Sequence, residues 1–164
     1  MIDYYGGLDK EIEHGLNQEQ ISMGFDRLNY HVGLRKSTYY LIGGYTGSGK
    51  TSFLDDAFVL NPYDFVNSHK NTKGLKLKIF YFSMERRKNY KIAKWISRRI
   101  FLDTGKVITA NKILGWVSNE FKLTFDEHDI VKSYKDYINF MLNDAVTIIE
   151  NPQNPMGIKK TIDA

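Results

Sequence analysis

Apolar and polar positions along this chain fall into periods that mark out its elements. Tyr39-Tyr40-Leu41-Ile42 is a short apolar run rich in β-formers and predicts a buried strand. Past a glycine-rich stretch, Phe53, Leu54, Ala57, Phe58 and Leu60 recur at helical spacing and predict a helix over 52–60. Asn61-Pro62-Tyr63-Asp64 is expected to stop that helix, because proline cannot continue it. The polar and basic residues 66–74 then read as a surface loop. Residues 75–83 alternate at first and become wholly apolar, the pattern of a second strand entering a covered sheet. From Arg86 to Leu102 the spacing predicts a helix with two faces. Ile92, Ala93, Ile96 and Ile100 lie on one side, and Arg87, Lys91, Lys94 and Arg98 on the other. Gly105 is its expected stop.

A short helix is expected over 109–117, then a longer one capped by Asp126 and running to about Asn143. Its stripe of Ile130, Tyr134, Tyr137, Ile138, Met141 and Leu142 reads as core rather than as platforms for stacked bases. Residues 145–149 form a third apolar strand, and Asn154-Pro155 reads as a cap and first position of a final helix. At the other end, residues 1–20 look like an arm or linker with a short helix near Asp9–His14. Residues 21–164 then read as one domain, entered through a turn and a short helical piece with Phe25 and Leu28 facing inward.

Composition narrows the class. The 164 residues suffice for one domain with a real core, and 42% hydrophobic with 26% charged residues are the proportions of a globular protein. No apolar run approaches the ~20 residues of a membrane span, and the N-terminus lacks the layout of a signal peptide, so no membrane partner and a cytoplasmic location are expected. There is no cysteine, which excludes disulfide frameworks and thiolate zinc sites. His14, His31, His69 and His128 have no metal-ligand spacing, and no serine–histidine or paired-carboxylate constellation stands out. A net charge of +4 is compatible with nucleic acid without requiring it. The basic helix face reads either as a contact for phosphates or as a solvated surface.

The chemistry concentrates in Gly44-Tyr45-Thr46-Gly47-Ser48-Gly49-Lys50-Thr51, a complete G-x-x-x-x-G-K-[ST] phosphate-binding loop between an expected strand and an expected helix. Chance produces this pattern in roughly one chain of this length in two hundred, so the match carries weight. Glycines keep side chains clear of an approaching phosphate and permit torsions closed to other residues. Successive loop N–H groups, Ser52 included, and the positive end of the following helix then surround the anion. Lys50 would reach the β- and γ-phosphates, and the Thr51 hydroxyl would ligate Mg²⁺.

Three pieces together resemble the ATPase domain of the DnaB-type replicative DNA helicases, in the form found in bacteriophages. Ser22-Met23-Gly24-Phe25-Asp26-Arg27-Leu28-Asn29 is similar to the family's opening segment, Gly44–Thr51 to its phosphate loop, and Phe82-Ser83-Met84-Glu85 to its Ser-Leu-Glu element. Asn151–Ile158 is a weaker match. The resemblance implies a P-loop, RecA-like, three-layer α/β/α core with a mostly parallel sheet. It implies ATP and Mg²⁺ as cofactors, single-stranded DNA as partner, a hexameric ring, and the host cytoplasm as location. Glu85 would orient and activate the attacking water, a role that suits a carboxylate at the C-terminal edge of a parallel strand. Read from the residues alone, Glu85 can also be an acid favoured at a helix N-terminus.

The family's Mg²⁺-associated aspartate strand, DNA-contacting loops and arginine finger would lie beyond Ala164. The resemblance thus implies the N-terminal part of a motor, which alone binds nucleotide without efficient hydrolysis: a fragment, a split gene product or a truncated chain. Two alternatives share the phosphate loop. In a small P-loop kinase, Arg86, Arg87 and the basic helix would hold an acceptor phosphate, but residues 145–164 lack the arginines of a lid. A non-catalytic nucleotide-binding regulator of a helicase needs only the loop.

Overall fold

A proline inside a helix shapes the first part of the chain. The computed structural model describes residues 5–17, 20–35, 38–73, 76–151 and 154–163. Helix α3 (Lys50–Asp55) passes through a π-helical turn, Asp56–Leu60, directly into α4 (Asn61–Lys73). Pro62 therefore does not stop the helix, and residues up to Lys73 are helical rather than the expected loop. A proline ring collides with the carbonyl of the preceding turn and has no N–H to offer it. The wider π turn immediately before Pro62 relieves that conflict, so the helix continues.

The chain forms two compact units, 1–66 and 67–164. In the first, α1 (Tyr5–Asn17) is longer than the helix expected near 9–14. An isolated antiparallel bridge between Ile21 and Leu34 encloses α2 (Asp26–His31). Met23 is buried, with its N–H donated to Asn29 Oδ1 and its carbonyl accepting from Asn61 Nδ2, both at 2.8 Å. This ties the segment before α2 to the start of α4. An aromatic chain continues the packing: Phe25 to Phe53 at 5.4 Å, Phe53 to Phe58 at 6.4 Å, Phe58 to Tyr40 at 5.4 Å between ring centroids.

The strand expected at 39–42 does not form: residues 38–45 have no ladder partner among the described residues. Tyr39 and Leu41 are 86% and 83% exposed, while Tyr40 points inward and its hydroxyl donates to Gly33 O at 2.6 Å. A strand is a pairing, and an apolar run without a neighbouring strand forms no ladder.

In the second unit, β1 (Ile79–Phe82) and β2 (Val146–Ile149) pair in parallel, with Ile79 opposite Val146 and Phe82 opposite Ile149. β1 is shorter than the expected 75–83; of that stretch, Leu75 lies outside the described residues. Parallel pairing needs a long crossover, here α5 (Lys88–Thr104), α6 (Ala110–Ile113), a 3₁₀ turn at Asn119–Phe121, α7 (Phe125–Ser133) and α8 (Lys135–Asp144). Trp95 from α5 meets Tyr81 of β1 edge-on at 5.9 Å. Ala93, Ile100, Ile108, Ile138, Met141 and Val146 complete the core.

Helix α5 is buried on two sides. Lys91, assigned from its spacing to the basic outer face, is 2% exposed; its Nζ donates to Tyr81 OH at 2.5 Å and lies over that ring. The aliphatic stem and the phenol together make its burial tolerable. Gly105 does end α5, in the left-handed region at φ 70°, with its N–H on Phe101 O.

The expected helix over 109–117 is only four residues long, and the helix placed from Asp126 to about Asn143 is broken at Tyr134. Thr124, not Asp126, caps α7: its hydroxyl accepts from Glu127 N–H while the Glu127 carboxylate accepts from Thr124 N–H. At the break, the Tyr134 hydroxyl donates to Asp103 Oδ2, which also accepts from Arg99 Nε at 3.0 Å. Burial first, then that bond to Asp103, raises the pKa of Tyr134. Helix α9 (Pro155–Asp163) starts as expected, with Asn154 Oδ1 accepting from Gly157 N–H at 2.8 Å.

Candidate functional site

The phosphate loop joins the extended segment 38–45 to α3 through a turn at Thr46-Gly47. Gly47 and Gly49 have φ of 81° and 86°, the left-handed torsions that glycine adopts without strain. Gly44 is required for a different reason. A Cβ there would lie 2.8 Å from Ser48 Oγ and 3.4 Å from Lys50 Cγ, so a side chain would fill the concave side of the loop.

The half-buried Lys50 folds back over this concavity, and its ammonium donates to the carbonyls of Gly44 and Tyr45, each at 2.7 Å. The ammonium is thereby satisfied by the loop's own carbonyls. Tyr45, Thr46, Gly47, Ser48, Gly49 and Ser52 are exposed and Thr51 is half-buried, so the loop backbone is open to a ligand. Ser48 N–H donates to Tyr45 O within the turn, and Phe53 N–H to Gly49 O starts the helix. The residues present suit a phosphate chain with Mg²⁺: a side-chain-free cradle, one cation aimed into it, and a threonine hydroxyl at the start of the helix.

Glu85 lies in the second unit, in the bend 84–86 that follows β1, and is exposed. The loop around it is held from three sides. Ser83 N–H donates to Ile149 O at 2.9 Å, Ser83 Oγ donates to Arg86 O at 2.5 Å, and Glu150 Oε1 accepts from Lys88 N–H at 2.7 Å. Glu150 thereby caps α5, whose own cap position, Arg87, offers no side-chain acceptor. Ser83 stands in the motif that the sequence offers beside Glu85, whereas Glu150 does not stand out in the sequence. The signal was the strand register, since pairing Phe82 with Ile149 brings the residues after both strands to one edge.

The phosphate loop belongs to the first unit and Glu85 to the second. Of the basic face, Arg87 is exposed, Lys94 and Arg98 are half-buried, and Lys91 is inside. No group of His, Asp and Glu able to hold a metal ion by itself occurs among the described residues. No helix among them is long and apolar enough to cross a membrane. Comparisons with protein-family models, with curated proteins and with solved structures found no match.

Proposed function

We propose that this chain binds ATP with Mg²⁺ through Gly44–Thr51 and is the nucleotide-binding part of a RecA-like motor of the ring-forming replicative DNA helicase type. The observation that carries the reading is the loop itself: glycines at left-handed torsions, and a lysine whose ammonium rests on two loop carbonyls at 2.7 Å. Phosphate oxygens would replace those carbonyls, with Lys50 neutralising charge and loop N–H groups donating. Bound Mg²⁺, held in part by Thr51, would supply a second counter-charge.

Further support comes from the second unit. A strand followed directly by Ser-Met-Glu, paired in parallel through a helical crossover, agrees with a mostly parallel RecA-like sheet and with Glu85 as the base that orients water. Assembly as a hexamer on single-stranded DNA in the cytoplasm of a host cell belongs to the same proposal.

ATPase and strand-separation assays test it, on the chain alone and on one polypeptide that adds the remaining strands of such a motor. The chain alone should turn over ATP poorly. The completed motor should hydrolyse ATP, and Glu85→Gln should lower the rate by about 10²–10⁴-fold with little change in nucleotide affinity. Near-normal turnover in the Glu85→Gln motor would remove Glu85 from the site. Robust turnover by the chain alone, with transfer to an acceptor, would favour a kinase instead.

A further inference from the structure

The segment 86–122 of the second unit carries ten Lys and Arg residues against only Asp103 and Glu120, an excess of eight. The rest of the chain, with thirteen basic and seventeen acidic residues, is negative by four. The modest net charge of +4 therefore hides one strongly basic stretch. Part of this charge is already used: Lys91 is buried, Arg99 pairs with Asp103 and Lys112 with Glu127. Arg86, Arg87, Lys88, Lys106 and Lys122 are exposed.

The same stretch holds a built stack of flat groups. The Arg86 guanidinium lies 5.0 Å over the Tyr90 ring, and Tyr90 stacks on Trp116 at 5.7 Å with the planes 16° apart. Trp116 is nevertheless 60% exposed. Its place is fixed by the end of α6. Trp116 N–H donates to Asn111 O and Gly115 N–H to Lys112 O, with Gly115 at φ 70°, the double hydrogen bond of a Schellman ending. An indole held in place against one ring and left this open to water is well suited to accept a further flat group.

We propose that Arg86, Tyr90 and Trp116 form a platform on which an unpaired base of a single-stranded nucleic acid stacks, its phosphates drawn by the surrounding basic stretch. An exposed aromatic ring in a stack that ends in a guanidinium recognises bases with little regard to sequence, and the charge excess suits a polyanion. A duplex offers the charge but keeps its bases stacked on one another. This site is independent of the phosphate loop.

The chain has two tryptophans, Trp95 buried and Trp116 exposed, so intrinsic fluorescence reports the contact directly. Titration with a twenty-nucleotide oligo-dT, its RNA counterpart and a duplex of equal length, at low salt, should show quenching by either single strand and not by the duplex. Labelled-strand anisotropy should show Trp116→Ala weakening binding by about tenfold or more, and Trp116→Phe by much less. Circular dichroism confirms that both variants remain folded. Lys50→Ala should bind the strand like the wild type, which separates this result from the fate of the phosphate-loop reading. Equal affinity of wild type and Trp116→Ala, equal quenching by duplex, or quenching by a mononucleotide alone would overturn the proposal.

Discussion

Two glycines with similar torsions serve different purposes, and substitution separates them. At Gly24 (φ 78°) a Cβ would fall 2.1 Å from Asn61 Nδ2, the donor that holds Met23 O. Gly24→Ala therefore combines left-handed strain with loss of that bond, together about 2–3 kcal/mol of stability. At Gly49 (φ 86°) nothing lies within 4 Å of the added carbon, so Gly49→Ala carries strain alone, about 1 kcal/mol. Urea unfolding of both variants against wild type should rank Gly24→Ala clearly below Gly49→Ala. Equal losses would mean that Asn61 does not anchor the segment before α2. Lys50 is the third residue of consequence, since its two carbonyl contacts are what a phosphate would displace.

Among the elements, α7 shows how a local rule fixes a boundary. Thr124 and Glu127 form a reciprocal capping box, and Lys112 Nζ adds a 2.6 Å bond to Glu127. The Lys112 bond first, then the Thr124 N–H, holds the Glu127 carboxyl below the ordinary glutamate range. A lowered folded-state pKa contributes stability that is full above the unfolded value, about 4.3, and is lost as pH falls through the folded one. Thr124→Ala should cost about 0.5–2 kcal/mol at pH 7. The gap between wild type and Glu127→Gln should be full at pH 7 and shrink below about pH 4. Thermal melts at pH 7 and pH 3 check both; a gap that does not change with pH would show that the carboxylate's charge is idle.

Elements whose residues carry their own instructions were legible before any coordinates: α5 with its Gly105 stop, β2 from its apolar run, α9 from Asn154-Pro155. The capping box was equally legible in Thr124-Phe125-Asp126-Glu127, but Asp126 competed for the same role. What could not be read locally depends on neighbours. Pro62 stops a helix unless a π turn precedes it, and Tyr39–Ile42 becomes a strand only beside another strand. Lys91 followed the basic stripe by spacing, yet Tyr81, ten residues earlier, turned it inward. The Gly44–Thr51 motif can be read without neighbours because it lies in consecutive residues, although the strand expected before it does not form. Ser83 and Glu85 stand together in the sequence motif, whereas Glu150, which holds their loop through Lys88, emerges only from the strand register.

For the molecule as a whole, the central claim is that Gly44–Thr51 holds the phosphates of a nucleotide. A ligand that binds the folded chain must also stabilise it, by about 2.7 kcal/mol at a hundred times its dissociation constant. The direct measurement is calorimetric titration of wild type and Lys50→Ala with ATP and ADP in the presence of Mg²⁺. The account predicts weak but measurable binding to the wild type and a strong loss of affinity in Lys50→Ala. Equal affinities for the two proteins, or no heat of binding to the wild type at millimolar nucleotide, would contradict it.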